Sequence, residues 1–354
     1  MTLRDRISRH GGVVAGALLT LALGACSAGA GAGGSSGGDS NGGDAASFYK
    51  GKTLQIIVPY GPGGGYDQWP RLLEPYMKKY LGVAAVKVVN APGGGGLIGS
   101  QQIYDAKADG LTIGDTNAGG DVFDQIDSAQ GYNMDVTKFN WIGRPDDDPH
   151  VIAVRKGTFA DFNALISQTR TIKALATGKG SSDYNAAVIV YNSFKVPFQM
   201  VAAFSGSSDE KAAFLAGNGA TASLSSSDIA AAGSKVDAVV VVSSQPFAKL
   251  PDVPTVVDVA KQKGLPQNTV DALSALSDVM DLGHAFFAPA GVPQDRLALL
   301  RSAFQQSMQD SGLLDAAQKA GLYPGYESGD DLQKATADAL THKDLFTGLL
   351  KTAS

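Results

Sequence analysis

Apolar runs, small-residue loops and helical segments alternate along most of the chain. The first apolar run ends at Val58 and leads into a glycine-rich loop over 61–65. After this loop, apolar side chains recur at the spacing of one helix face: Leu72, Leu73, Tyr76, Met77 and Tyr80. Similar units follow over 86–104, 111–120, 172–194 and 198–215. The alternation predicts an α/β fold with parallel sheets that are covered by helices.

Each of these five loops follows the carboxyl end of a predicted strand, the edge at which open parallel sheets bind ligands. Three loops belong to the first half of the chain and two to the second, so two lobes would present them to each other across a cleft. The acidic segment over 145–149 predicts the crossing between lobes, and the chain is expected to return near 284–289. Terminal helices, such as the one predicted over 296–308, are expected to pack on the first lobe.

The first glycine loop predicts an anion site made of backbone. The N–H groups of Gly63, Gly64, Gly65 and Tyr66 lie at a helix N-terminus, where the helix dipole favours an anion. Asp67 is the predicted N-cap of that helix. Hydrogen bonds to a charged group contribute about 1.5 to 3 kcal/mol each, so three or four of them would hold a carboxylate at about micromolar affinity. The alternative is that the glycines only supply positive φ at a turn.

Two other motifs are weaker. The stretch over 94–99 fits G-x-G-x-x-G, with Asp115 about 20 residues later, but a run of four glycines matches many such patterns by chance. The stretch over 208–211 fits S-x-x-K, yet Ser207 and Glu210 also fit a capping box, and we interpret them as a helix start.

The composition excludes several classes of function. The formal net charge is -5 and the basic residues are scattered, which argues against a nucleic-acid partner. Beyond the first 25 residues, the histidines are His150, His284 and His342, without a carboxylate or cysteine partner at ligand spacing, so we interpret each as structural. No catalytic residue, metal site or cofactor is predicted.

The N-terminus has the pattern of a targeting segment. Three arginines within the first nine residues precede an apolar stretch over 13–23 that is too short to span a membrane stably. The sequence LGAC over 23–26 resembles the lipobox of bacterial lipoproteins, which makes Cys26, the only cysteine, the predicted lipidation site. Residues 1–25 are therefore a predicted signal peptide, and 26–47 a flexible Gly/Ser/Ala tether.

From residue 48 onward the chain resembles the solute-binding receptors of tripartite tricarboxylate transporters, also called Bug-type receptors. The stretches that carry the resemblance occur in the family's order: IIVPYGPGGGYD, VVNAPGGGGLIGSQQIYDAKADGLTIG, TGKGSSDYNAAV, LPDVPTVVDV and FFAPAGVPQDRLALL.

The resemblance implies a type 2 periplasmic-binding-protein fold, in which two α/β lobes close over a ligand in a central cleft. The ligand is usually a small carboxylate held by loop amides and bridging waters. The predicted lobes are 48–148 with 285–354, and 149–284. Together the loops and the resemblance give these candidate ligand-binding residues: Tyr60, Gly63, Gly64, Gly65, Tyr66, Asp67, Gly93, Gly94, Gly95, Gly96, Asp115, Thr116, Asn117, Gly178, Gly180, Ser181, Ser182 and Ser205.

Three positions depart from the family pattern. Tyr66 replaces the small Thr or Ser that is usual in the family. Asp183 and Tyr184 stand where a His often follows the Gly-Ser loop. The stretch AGNGATAS lacks the usual Gly-x-Val-Asp ending. The sequence therefore leaves open whether a tricarboxylate, a dicarboxylate or an aromatic acid is bound.

The leading hypothesis is a monomeric, non-enzymatic receptor, anchored outside the cell membrane through Cys26, that hands a small carboxylate to the permease subunits of a tripartite transporter. Two alternatives stay open: a sensory module that signals to a membrane partner, and a secreted hydrolase with Ser181 or Ser182 as its nucleophile.

Overall fold

The protein folds into two β-sheets with helices packed on their faces. The computed structural model describes residues 42–350. The strands are β1 (Thr53–Val58), β2 (Ala85–Asn90), β3 (Thr112–Asn117), β4 (Asn140–Asp146), β5 (His150–Arg155), β6 (Ile172–Leu175), β7 (Phe198–Val201), β8 (Thr221–Ser225), β9 (Val236–Val241), β10 (His284–Ala288) and β11 (Pro324–Ser328). The helices are α1 (Gly42–Tyr49), α2 (Gly65–Leu81), α3 (Leu97–Tyr104), α4 (Ala118–Ile126), α5 (Phe162–Ile166), α6 (Ser182–Ser193), α7 (Ser207–Leu215), α8 (Ser226–Ala232), α9 (Val256–Gln262), α10 (Gln267–Met280), α11 (Gln294–Gln309), α12 (Ser311–Lys319), α13 (Gly329–Thr341) and α14 (Lys343–Phe346).

Both sheets are mixed, so the prediction of parallel sheets was only partly right. The first sheet has the order β11-β4-β10-β3-β1-β2, and the second β7-β6-β8-β5-β9. Strand β1 is parallel to β2 and β3, and β6 is parallel to β7 and β8. Strands β10 and β5 run against both of their neighbours.

The antiparallel strands follow from where the chain changes sheets. His284, the first residue of β10, pairs with Asn117 at the end of β3. Likewise His150, the first residue of β5, pairs with Ser225 at the end of β8. The chain therefore enters each sheet at the edge where the parallel strands end, and the entering strand must run the other way. Both histidines are placed at that edge.

We call the first sheet with its loops and helices the first lobe, and the second sheet with its own the second lobe. The chain leaves the first sheet at Asp146, enters the second at His150 and returns at His284. By internal contacts the described residues form one unit rather than two. The lobe boundaries given by the sequence therefore stay a prediction.

The N-terminal predictions lie mostly outside the described residues, including the signal peptide, Cys26 and the start of the tether. The end of the tether was predicted wrongly, since α1 begins at Gly42 rather than after residue 47. Ala45 and Tyr49 are buried, and the Tyr49 hydroxyl donates to the Gly110 carbonyl oxygen at 3.1 Å. The guanidinium of Arg296 on α11 lies over the ring of Phe48. These contacts give the short helix a surface to pack on.

The helix predicted after the first glycine loop is α2, and its apolar face packs as expected. Leu73 and Met77 are buried in a core that also contains Leu297, Leu300 and Phe304 of α11. The predicted return of a C-terminal helix to the first lobe is therefore confirmed.

Candidate functional site

The glycine loops of the two lobes face and touch each other. The Gly61 N–H donates to the Ser205 carbonyl oxygen at 2.8 Å, across the two lobes. A Cβ added at Gly64 would lie 2.7 Å from Ser207 Oγ, and one added at Gly178 would lie 2.7 Å from the Gly95 Cα. The loops that the sequence placed at the sheet edges therefore meet in a closed arrangement that only small residues permit.

Between the loops lies a small cavity of about 30 Å³. The first lobe contributes Tyr60, Gly65, Tyr66, Asn117 and His284 to its wall. The second lobe contributes His150, Thr177, Ser182, Asp183, Ser207, Glu210, Ser223, Leu224, Ser225 and Asp228. Five of the predicted site residues thus share one cavity: Tyr60, Gly65, Tyr66, Asn117 and Ser182.

The first loop leaves three amides available at the start of α2. Gly64 is the N-cap of this 17-residue helix, without a side-chain cap. Among the contacts of the described chain, the N–H groups of Gly64, Gly65 and Tyr66 donate no hydrogen bond. The Gly63 N–H, in contrast, donates to Asp67 Oδ2 at 2.9 Å. The predicted anion site therefore keeps three of its four amides.

Asp67 holds the loop in place, and the prediction that it is the N-cap was wrong. Its carboxylate accepts hydrogen bonds from the Gly63 N–H, from Arg71 and from Asn90. Burial opposes the charged form, but these hydrogen bonds hold the pKa of Asp67 below its ordinary value. Because the helix begins at Gly65, two residues before Asp67, the side chain reaches back to the loop. It does not line the cavity.

The second glycine loop belongs to the contact between the lobes rather than to the cavity wall. Residues 93–96 all have positive φ, between 61° and 136°. A Cβ at Gly95 would collide with the Lys179 carbonyl oxygen. The Tyr60 hydroxyl donates to the Gly95 carbonyl at 2.6 Å and accepts from Asn117 Nδ2 at 2.8 Å. The glycines therefore permit close approach, and Tyr60 ties the loop to β3.

The end of β3 supplies one cavity residue and two buried neighbours. Asn117 lines the cavity and caps α4 by accepting the Gly120 N–H at 2.9 Å. The Thr116 hydroxyl donates to Asp121 Oδ2, away from the cavity wall. Asp115 is fully buried, and neither carboxylate oxygen has a partner in the described chain. Burial raises the pKa of Asp115 well above its usual range, and His284 opposes that shift.

The serines of the second lobe have different roles. The Ser181 hydroxyl is buried and donates to the Gly178 carbonyl at 2.6 Å, whereas Ser182 lines the cavity. The Ser205 hydroxyl donates to Asp209, outside the cavity wall.

Two further residues complete this loop region. Gly180 has a φ of 94° and faces the Asp124 carboxylate. Asp183 accepts hydrogen bonds from the Thr177 N–H at 2.6 Å and from its hydroxyl at 2.8 Å.

His284 is a cavity residue that the sequence analysis interpreted as structural. Its Nδ1 bonds to Asp146 Oδ2, which also accepts from Trp69 Nε1 at 3.1 Å. Burial opposes protonation, but Asp146, and beyond it Asp115, raises the pKa of His284 to about 9. The ring therefore carries a positive charge at neutral pH. Its Nε2 would lie 2.9 Å from a Cβ on Gly65, beside the free amides.

Glu210 is the second cavity residue whose role the sequence analysis interpreted wrongly. The N-cap of α7 is Gly206, not Ser207, and the helix has no side-chain cap. Glu210 has an exposed fraction of only 1 %, and its two carboxylate oxygens have no hydrogen-bond partner in the described chain. The capping-box prediction was therefore wrong. No local sequence pattern distinguishes a helix-capping residue from a residue of the cavity wall, because the difference depends on what packs over the helix.

The family of the chain follows from comparison with known proteins. Residues 70–347 match the family model described as "Tripartite tricarboxylate transporter family receptor". The chain belongs to this family. It is thus a solute-binding receptor of tripartite transport by family, and the fold is that of periplasmic binding proteins.

The proteins and structures similar to this chain are distant from it in sequence. A Pseudomonas sp. (strain P51) protein, described as the UPF0065 protein in the tcbD-tcbE intergenic region, is 25% identical over 77% of this chain and 79% of its own length. MatC from Rhodopseudomonas palustris, solved with bound malate, has a TM-score of 0.67 at 21% identity, covering 84% of this chain and 99% of that one. Another R. palustris protein, solved with adipate, has a TM-score of 0.65 at 18% identity, covering 84% and 97%. At this identity the two structures support the fold.

The described residues show neither a metal-binding cluster nor a membrane-spanning helix. Within the described residues, no three His, Cys, Asp or Glu side chains come together in a way that could hold a metal ion. In the same part of the chain, no helix has the length and hydropathy of a membrane-spanning segment.

Proposed function

We propose that this receptor captures a small organic carboxylate between its lobes outside the cell membrane and delivers it to the permease of a tripartite transporter. One observation supports the ligand class: the free amides of Gly65 and Tyr66, at the N-terminus of α2, lie with the positively charged His284 in the wall of the cavity between the lobes. A helix N-terminus and a neighbouring cation both favour an anion.

The closed arrangement supports capture by lobe closure. The loops of both lobes touch around the cavity, so a ligand contacts both lobes only when they are shut. Such a ligand stabilises the closed form by its difference in affinity for the two states. The malate and adipate bound by the two R. palustris proteins support a carboxylate ligand here as well.

The proposal includes a location and a non-catalytic mode of action. The LGAC sequence supports attachment through Cys26, with the following Gly/Ser/Ala segment as a tether. In this proposal the receptor acts as a monomer. The Ser181 hydroxyl is held by the Gly178 carbonyl, and no hydrogen bond in the described chain joins it to a histidine. This arrangement favours binding over acyl transfer by that serine.

A thermal-shift panel of monocarboxylates, dicarboxylates, tricarboxylates and aromatic acids tests the proposal with the mature protein. A ligand present at 100 times its Kd stabilises the folded state by about 2.7 kcal/mol. We therefore expect at least one acid to raise the Tm by several degrees. A flat response to every class of acid would contradict the proposed ligand.

A further inference from the structure

Glu210 is a buried carboxylate in the cavity wall, and no group of the described chain neutralises it by contact. It lies in the first turn of α7, and both of its oxygens lack a hydrogen-bond partner. The nearby carboxylates are already engaged, since Asp183 accepts from Thr177 and Asp228 pairs with Lys211. An isolated buried charge is strongly unfavourable unless something pairs with it.

Other polar atoms in the same wall also lack partners. Among the described residues, neither Ser223 Oγ on β8 nor His150 Nδ1 on β5 makes a hydrogen bond. Both residues line the cavity together with Glu210. Three elements of the second lobe therefore present unsatisfied groups to one space, and native proteins leave few such groups unexplained.

The sign of the charge selects the chemistry of the missing partner. Glu210, Asp183 and Asp228 make this wall acidic, so a group with a second negative charge is disfavoured there. The described residues offer no trio of ligands for a metal ion. An ammonium group is compact, positively charged and carries three hydrogen-bond donors, and it therefore suits the site.

The acidic wall is close to the free amides of the first lobe. A Cβ on Gly64 would lie 2.7 Å from Ser207 Oγ, and Glu210 follows Ser207 by one turn of α7. One helical turn rises about 5.4 Å. A molecule with only a few carbon atoms would therefore span both places.

We propose that Glu210 accepts a protonated amine of the ligand, so that the cargo is a small aminocarboxylate whose carboxylate binds the free amides of the first loop. This inference rests on the proposed receptor function and narrows its ligand class. Ser223 and His150 complete the hydrogen bonds around the amine or its neighbouring atoms.

A Glu210 that stays protonated when the ligand is bound is the competing explanation. Burial, and then the neighbouring Asp183 and Asp228, raises the pKa of Glu210 well above its usual range. A protonated Glu210 would donate a hydrogen bond to Asp183 and would need no amine from the ligand. The two explanations predict different ligand preferences.

Calorimetric titration with matched pairs of acids distinguishes them. Each pair differs only in an amine: propionate and β-alanine, butyrate and 4-aminobutyrate, succinate and aspartate, glutarate and glutamate. We expect the amine-bearing member of at least one pair to bind ten- to hundred-fold more tightly. Glu210→Gln keeps the size of the side chain and should abolish this preference. Glu74→Gln, the same chemical change on α2 outside the cavity wall, should retain it.

The outcomes separate this inference from the receptor function. Equal affinities within every pair, or a preference that survives Glu210→Gln, would overturn the inference and leave the carboxylate receptor standing. Loss of the preference in Glu74→Gln as well would show an effect of overall charge and would also overturn it. If no acid of either kind binds, the proposed function fails together with the inference.

Discussion

Gly64 lies at the point where the two lobes touch. Its φ of -83° and ψ of 176° are open to any residue, so a larger side chain there leaves the backbone unstrained. A Cβ would nevertheless lie 2.7 Å from Ser207 Oγ of the second lobe. We expect Gly64→Val to fold normally but to hold the lobes apart and to weaken ligand binding at least about ten-fold.

Calorimetry with the best acid of the panel measures this effect, and circular dichroism checks the fold. Gly348→Val is the matched control, because a Cβ there meets no atom within 4 Å. Unchanged affinity in Gly64→Val would remove the first loop from the site.

His284 gives binding a dependence on pH. Its pKa of about 9 means that the ring is charged at neutral pH and loses its charge as the pH rises through about 9. Since the charge lies beside the free amides, we expect carboxylate affinity to be level between pH 6.5 and 8 and to fall above pH 9. Titrations of the wild-type protein and of His284→Gln with the carboxylate across this pH range test the expectation. A wild-type profile that stays flat to pH 10 would show that His284 does not act on the ligand.

At the scale of elements, the start of α2 depends on Asp67. Its carboxylate joins the Gly63 amide, Arg71 and Asn90, which ties the loop, the helix and β2 together. Hydrogen bonds to a charged group contribute about 1.5 to 3 kcal/mol, so we expect Asp67→Ala to lower the free energy of unfolding by about that amount. Urea unfolding measures it. A variant of normal stability that has lost ligand affinity would instead mean that Asp67 contacts the ligand.

The sequence predicted elements where a repeated local pattern determines them. The spacing of Leu73 and Met77 identified the buried face of α2, because a helix repeats every 3.6 residues wherever it packs. The caps predicted at Asp67 and Glu210 were wrong because the role of each side chain depends on distant parts of the chain: Asn90 donates to Asp67, and Glu210 lies in the wall of the cavity between the lobes. The antiparallel β5 and β10 were missed because strand direction is set by where the chain crosses between sheets.

At the scale of the whole molecule, buried acids give stability a clear pH dependence. Burial raises the pKa values of Asp115 and Glu210 well above normal, that of Asp121 to about 7 and that of Asp124 to about 8. Asp146 raises the pKa of His284 as well, to about 9. The folded state therefore binds more protons than the unfolded state over this range, and stability falls as the pH rises. The lowered pKa of His150 opposes this trend at one site.

We expect the Tm of the ligand-free protein to decrease from pH 5 to pH 8.5. Differential scanning calorimetry in buffers of equal ionic strength measures this. Glu210→Gln should give a smaller decrease of Tm with pH, because it removes one of the groups whose pKa is raised. A Tm that increases over this range would contradict the placement of these carboxyls in the folded state.

The site was predictable in part from the sequence. The loops over 61–65 and 178–182 were placed correctly at facing sheet edges, because the alternation of strand and helix fixes where loops emerge. His150, His284 and Glu210 are far apart in the chain and join the cavity only through the crossing of the two sheets. No local pattern marks such residues, so their roles required the fold.

The central claim is that two lobes close around one small carboxylate, and native mass spectrometry of the protein purified without denaturation tests it most directly. The account predicts a population that carries the mass of one small molecule with a carboxyl group, and it predicts that this population disappears in Gly64→Val. A co-purified molecule without a carboxyl group, or no bound mass even after incubation with the acid panel, would contradict the claim.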